Sequence, residues 1–309
     1  MRKSADLFLF QLMLLLCALW GLQQVAIKLA AADIVPLLQV TLRSAIAAVL
    51  VGALLLWQGS WRGWLGSTWR GGLLAGTLFA LEFFFIAQGL QYTSASHMAV
   101  FLYTAPIFSA LGLALLLPSE RLHRLQWLGV ALCFAGIVLA FGGDGDWAEL
   151  NRQMLLGDGL ALLAGLSWGL TTVVVRGSRL SEAPPTLTLF YQLLVSFVLL
   201  LGYALASGPL APISWTPVSI SSLLLQAVVV SFLSYLAWYW LLRRYLASNL
   251  AVFSFMTPLF GVTFGVLILQ ESLSLAFVLG AALVMLGILL VSQHAWLRNR
   301  LQHWRAASN

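Results

Sequence analysis

The sequence predicts an all-α integral membrane protein: ten transmembrane helices, arranged as two inverted five-helix repeats around a central cavity. Three observations predict it. The first is composition, since the 309 residues are 61% hydrophobic and only 8% charged, with mean hydropathy +0.95. A soluble domain carries about 25% charged residues, so this chain cannot cover itself with a water-facing surface. The second is duplication of an apolar, proline-interrupted hairpin. Ala95, Ser96, Ala99, Val100, Phe101 and Pro106 recur 152 residues on as Ala247, Ser248, Ala251, Val252, Phe253 and Pro258, and Glu120 and Leu122 recur 151 on as Glu271 and Leu273. The third is the placement of the basic residues, taken up below.

A span needs about 20 apolar residues, which gives this length room for about ten. The first run covers residues 7–30 and contains Leu19-Trp20-Gly21. Arg2-Lys3 before it and Ala30-Ala31-Ala32 after it imitate a signal peptide, but an equivalent segment opens the second half, so it reads as a retained helix. Asp33 and Pro36 end it, and a second run covers residues 37–57. Residues 59–70 read as an interfacial loop, because Trp57, Trp61, Trp64 and Trp69 suit the headgroup belt. Spans over residues 71–90, 95–117 and 125–141 complete a first repeat of residues 1–141. Residues 142–156, with Asp144, Asp146, Glu149 and Arg152, read as a periplasmic linker. A second repeat, residues 157–297, holds spans over 157–175, 186–206, 220–242, 247–269 and 275–296, and residues 298–309 read as a basic cytoplasmic tail. Trp20-Gly21 returns 148 residues on as Trp168-Gly169, Pro36 returns 149 on as Pro185, and Leu128-Gly129 returns 151 on as Leu279-Gly280.

Five spans per copy force the copies to enter the membrane with opposite polarity. With the N-terminus cytoplasmic, the inner segments hold Arg2, Lys3, Arg62, Arg70, Arg121, Arg124, Arg176, Arg179, Arg243, Arg244, Arg298, Arg300 and Arg305. The outer segments hold only Lys28 and Arg152, and Arg43 lies within a span. This bias predicts both termini inside and accounts for the net charge of +6 without nucleic acid. Inverted repeats place a solute site near the midplane between the halves.

Arg43 lies seven residues past Pro36, about 10 Å into its helix, with Gln39 one turn before it on the same face. It reads as a cavity-lining cation for an anionic or carboxylate group, or else as a structural arginine satisfied by helix-end carbonyls or snorkelling. Gln192, with Thr188 and Ser196, occupies the matching stripe in the second half. Glu82 sits mid-span among Phe79, Phe83, Phe84 and Phe85. It reads as a partner of Arg43, as a proton-coupling carboxylate, or as a neutral acid making an ordinary intramembrane hydrogen bond. His97, at the outer start of the fourth span, is a second coupling candidate or a plain helix-end residue.

Trp20, Gln24 and Lys28 share one helix face, and Trp168, Thr172 and Arg176 share the matching face of the sixth helix. The eighth helix presents Ser231, Ser234, Tyr235, Trp238 and Tyr239; Tyr103 and Tyr191 add to the set. Aromatic rings with polar handles suit a cavity for a partly apolar solute, or else packing and headgroup anchoring. Pro106 and Pro258 read as mid-span kinks, serving gating or packing. Cys17 and Cys133 read as small core residues. No phosphate loop, nucleophile motif, catalytic carboxylate pair or metal-ligand spacing is present, so neither enzymatic activity nor a cofactor is expected. The expected partners are a small-molecule solute and the bilayer. No Gly-x-x-x-Gly seam stands out, which predicts a monomer or weak dimer. A channel needs a symmetric pore lining or charged rings, so alternating access fits better.

Several of these stretches resemble the EamA repeat of the drug/metabolite transporter superfamily, over nearly the whole chain and twice. They are Leu19-Trp20-Gly21 with its variant Ser167-Trp168-Gly169, Tyr92-Thr93-Ser94-Ala95-Ser96, Pro106 and Pro258, the Glu120 and Glu271 elements, and the Leu-Gly-x-x-Leu last helices. The resemblance implies a ten-helix bacterial inner-membrane carrier with cytoplasmic termini, similar to exporters of amino acids and related metabolites, some of them aromatic compounds or toxic cations. The expectation is export of a neutral or aromatic amino acid, with Arg43 near its carboxylate and Trp or Tyr faces against its side chain. The alternative is a drug or organic-cation exporter in which Glu82 meets the cation.

Overall fold

A computed structural model describes residues 6–59, 61–116, 122–142, 152–208, 212–245, 250, 253–254 and 256–307. Glu120, Arg121, residues 143–151 of the linker, and residues 247–249, 251 and 252 of the second hairpin lie outside the described residues. The architecture is helical. Helix α1 (Leu7–Leu29) is capped by Asp6, whose carboxylate accepts from the Leu9 N–H at 2.8 Å. Helix α2 (Pro36–Gln58) starts on a proline and stops at Gly59, whose φ of 59° is left-handed.

Helix α3 (Leu65–Gly89) begins six residues before the expected start, inside the segment read as a loop. There the Thr68 hydroxyl donates to the Trp64 carbonyl at 2.8 Å and closes the first turn. The fourth span is two helices, α4 (Ala95–Leu102) and α5 (Ala105–Leu116), divided at Tyr103 and Thr104. This corrects the reading of Pro106 as a kink within one helix. It stands in the first turn of α5, where a missing N–H breaks no helical bond, and the Thr104 hydroxyl donates to the Phe101 carbonyl at 2.6 Å across the break. Pro258 lies within α11 (Met256–Leu269), and residues 253 and 254 before it are also helical.

Helix α6 (Arg124–Gly142) is followed by α7 (Arg152–Gly177), which begins five residues before position 157, and by α8 (Pro185–Ala206). The eighth span is composite: α9 (Pro217–Leu224), a π-helical segment Leu225–Ser234, and α10 (Tyr235–Arg244). Helix α12 (Leu275–Ala307) runs on through residues 298–307, which the sequence reading left as a tail. Among the described residues, seven stretches are long and apolar enough to cross a membrane, and three shorter apolar helices lie at Arg124–Ala140, Met256–Leu269 and Leu275–Val291. The protein is a multi-pass membrane protein.

The packing pairs elements of the two halves. Helix α1 lies on α11 as α7 lies on α4 and α5; α2 lies on the π segment as α8 lies on α3; and α6 lies on α12. Backbones touch at the glycines of these crossings. A Cβ on Gly129 would fall 2.7 Å from the Gly287 carbonyl oxygen, and one on Gly136 would fall 2.6 Å from that of Gly280. Residue numbers rise along α6 as they fall along α12, so these two helices are antiparallel. A Cβ on Gly21 would fall 2.8 Å from Phe260 Cβ, and one on Gly169 would fall 2.7 Å from Phe108 Cβ. Phe108 and Phe260 are 152 residues apart, the offset of the hairpin repeat. Equivalent contacts therefore recur at equivalent positions. Buried residues of α2, α3, α4, α7 and α8 form the main core, which surrounds Arg43 and Glu82.

Candidate functional site

Arg43 is fully buried on α2, and none of its three guanidinium nitrogens has a hydrogen-bond partner among the described residues. Its guanidinium carbon stands 3.6 Å from the centre of the Phe83 ring and 5.9 Å from that of Phe79, both on α3. One turn of α3 separates these rings, and their own centroids are 4.8 Å apart, so they form one aromatic floor under the cation. Glu82, 6% exposed on the same helix, and Tyr235, at the start of α10, are the electrostatic neighbours of Arg43. The Tyr235 hydroxyl stands beside the guanidinium in looser geometry than a formed hydrogen bond, and no ion pair joins Arg43 to Glu82. A guanidinium stripped of water costs several kcal/mol, whereas a desolvated cation–π contact returns about 2 kcal/mol. Glu82 and Tyr235 nearby offset part of the remainder. The guanidinium and the Glu82 carboxyl group are thus held near each other without an ion pair.

Aromatic residues enclose this pair. Tyr103, at the α4–α5 break, packs edge-on against Trp168 of α7 with centroids 5.2 Å apart. Trp168, Tyr235 and Tyr239 pack on the main core yet stay half-exposed, as side chains facing an internal space do. Thr172 is also half-buried, and its hydroxyl donates back to the Trp168 carbonyl at 3.3 Å. Trp20 and Trp238 form a separate T-shaped pair, 5.4 Å apart, in a second core cluster built on α1. That pair joins the first set through Ser234, whose hydroxyl accepts from the Trp20 indole N–H at 2.8 Å.

The polar residues divide into engaged and unengaged groups. The Gln39 amide donates to the carbonyls of Ile27 (2.9 Å) and Ile34 (2.7 Å), and its oxygen accepts from Gln226 at 2.8 Å. Gln39 therefore splices the α1–α2 turn to the π segment, and no donor or acceptor is left on the Arg43 face for a solute. Gln192 is buried on α8, in the stripe with Thr188 and Ser196, and Ser196 lies 3.5 Å from Ser44 of α2. In contrast, Gln24 Oε1, Gln226 Oε1, Ser231 Oγ and Thr257 Oγ1 are buried without partners. Gln226 and Thr257 did not stand out in the sequence, where an isolated amide or hydroxyl within an apolar run carries no periodic signal.

His97 belongs to a different cluster, at the end of the bundle where α1 finishes and α4 and α7 begin. Its Nδ1 lies 2.8 Å from Asp158 Oδ2, and its ring stacks on Phe277 at 3.8 Å. The Thr93 hydroxyl donates to the other Asp158 oxygen, while its carbonyl accepts from Lys28 Nζ at 2.5 Å. Glu271 completes the cluster. It accepts from the backbone N–H groups of Ala95 (2.7 Å) and Ser96 (3.0 Å) and from the Ser96 hydroxyl (2.6 Å), and it lies 3.9 Å from Lys28. Gln270, left-handed at φ 55°, turns the chain that carries Glu271 back over the start of α4. The structure thus gives His97 a buried carboxylate partner, in place of the isolated helix-end setting considered from the sequence. Asp158 did not stand out in the sequence, because its partner is 61 positions away.

Two segments, residues 8–142 and 155–293, each match the model of the EamA-like transporter family. The chain belongs to the EamA-like transporter family. An uncharacterised transporter of Archaeoglobus fulgidus is 27% identical to this EamA chain over 91% of it and 96% of the relative. An uncharacterised transporter of Synechocystis sp. is 30% identical, covering 92% and 89%. A protein of Escherichia coli (strain K12) named probable amino-acid metabolite efflux pump is 27% identical, covering 90% and 92%. A crystal structure of a protein 19% identical in sequence matches 91% of this chain and 94% of that one at TM-score 0.64, which shows the fold alone. The EamA chain is a membrane transporter of the drug/metabolite transporter superfamily.

Proposed function

We propose that the protein exports a neutral, preferentially aromatic, amino acid across the bacterial inner membrane by alternating access. The observation that carries this reading is the separation of Arg43 from Glu82. A buried cation without an acceptor and a buried carboxylate without an ion pair, held close but apart, are complementary to a zwitterion. The α-carboxylate goes to Arg43 and the α-ammonium to Glu82. The half-exposed rings of Trp168, Tyr235 and Tyr239, with Tyr103 behind them, receive the side chain. Gln24 adds a free acceptor from α1, while Trp20, Trp238 and Thr172 form the wall beyond. Gln39 and Gln192 hold the surrounding helices.

The remaining architecture follows from the same reading. On this reading the three shorter apolar helices also cross, and with the seven long apolar stretches they would give ten spans. The antiparallel glycine contacts of α6 with α12, and the matched contacts at Gly21 and Gly169, support inverted repeats. Both termini are cytoplasmic by the basic-residue bias. The carrier works as a monomer or weak dimer. Between solutes Glu82 is the group a proton would occupy, which makes it the coupling candidate, whereas His97 is bound into the end cluster.

Proteoliposomes loaded with unlabelled phenylalanine should take up external labelled phenylalanine transiently and saturably, by counterflow. Equilibration without overshoot would make the protein a channel. Counterflow with organic cations but with no neutral amino acid would transfer the site to the cation-exporter reading.

A further inference from the structure

The π-helical segment supplies a second arm to the site. Ser231 is fully buried there, and its hydroxyl has no partner. The register follows from three contacts. Asp33, in the turn before α2, accepts from the Ser214 N–H at 3.0 Å through its carbonyl and from the Thr216 hydroxyl at 2.5 Å through its carboxylate. Hence α2 and the rod made of α9, the π segment and α10 start at the same end and run in parallel, packed side by side. The Gln226 amide donates to Gln39 Oε1 at 2.8 Å and fixes one rung between them.

From that rung α2 advances one turn, four residues, to Arg43. On the opposite rod the wider turn of a π-helix swings Ser231, five residues past Gln226, toward the Gln226 face, with Val230 buried beside it; the tighter turn of an α-helix would leave Ser231 round the side. The next turn arrives at Tyr235, already an electrostatic neighbour of Arg43. Ser231 therefore lies between Gln226 and Tyr235 on the rod beside Arg43, and both residues hold unfilled hydrogen-bond donors in one buried region. π-Helical turns are rare and occur frequently at functional sites.

We propose that Ser231 and Arg43 together form a carboxylate clamp, and that the π register is what brings the serine to it. The inference rests on the reading of Arg43 as the solute's carboxylate partner. The guanidinium donates two N–H groups to the carboxylate, and the Ser231 O–H donates to a lone pair the guanidinium leaves free. With an α register Ser231 would turn away from that face, and Val230 beside it offers no donor.

Phenylalanine binding to the purified full-length protein, followed by calorimetry, tests this. Ser231→Ala should weaken binding roughly tenfold, the loss expected for one hydrogen bond to a charged group. Ser231→Thr, which keeps the hydroxyl, should stay near wild type. Wild-type affinity in Ser231→Ala would overturn the clamp, with the site reading intact if Arg43→Gln still abolishes binding. If wild type binds no neutral amino acid, the underlying reading falls, and the clamp falls with it.

Discussion

Replacing Arg43 with methionine should raise the apparent melting temperature of the ligand-free protein while abolishing amino-acid transport. The two effects share one cause. The guanidinium is fully buried, stacked on Phe83 and without a hydrogen-bond acceptor. A buried charge with no ion-pair partner costs folding several kcal/mol of desolvation, which an apolar side chain of similar volume does not incur. The lost cation–π contact offsets part of this gain, about 2 kcal/mol at most. Without the cation, the carboxylate loses charge-assisted bonds of about 1.5–3 kcal/mol each, so transport should fall at least a hundredfold. Such a trade of stability for function is expected where a site stores an unpaired group. Thermal unfolding in detergent and uptake into proteoliposomes measure the two arms. A destabilised Arg43→Met protein that still transports would return Arg43 to a structural role.

The second large effect is expected at Glu271. Its carboxylate covers the N-terminus of α4, accepting two backbone N–H bonds and one hydroxyl bond, and it stands beside Lys28. That position combines helix capping with the favourable end of the helix dipole. Glu271→Ala leaves the N–H groups of Ala95 and Ser96 without acceptors in a buried position and leaves Lys28 without its carboxylate. We expect a loss of about 3–5 kcal/mol, seen as a markedly lowered melting temperature. Glu271→Gln should lose less, since one amide oxygen still accepts. An unchanged melting temperature in Glu271→Ala would show that the start of α4 does not depend on this contact.

How much of this was legible in the sequence varies with the range of the interaction. Apolar run length and the constant repeat offset are local, and they led directly to a multi-pass helical protein of two EamA repeats. Arg43 and Glu82 stood out because a charge within an apolar run is expensive wherever it points. What they do to each other was not legible, since α2 and α3 meet through tertiary packing, and the Phe83 ring beneath the guanidinium follows from that packing too. Pro106 misled for a physical reason. Composition places Pro106 in mid-span, but the helix restarts at Ala105, so the proline begins a helix and does not bend one. The π segment left no trace either. Ser231, Tyr235 and Trp238 fit α spacing, and nothing in the side chains announces i→i+5 bonding. The His97–Asp158 and Glu271–Ala95 contacts cross the two halves, beyond the reach of any local pattern.

The claim that a zwitterion bridges Arg43 and Glu82 is tested most directly by comparing three ligands that share one aromatic side chain. Thermal shifts of the purified wild-type protein would be measured with phenylalanine, phenylalaninamide and phenethylamine. A ligand that binds only the folded state raises its stability with concentration over affinity. The account predicts a concentration-dependent shift with phenylalanine, a much smaller one with the amide, and little or none with the amine. A shift with phenethylamine equal to or larger than that with phenylalanine would contradict it, because the carboxylate would then contribute nothing and Glu82 alone would hold the ligand.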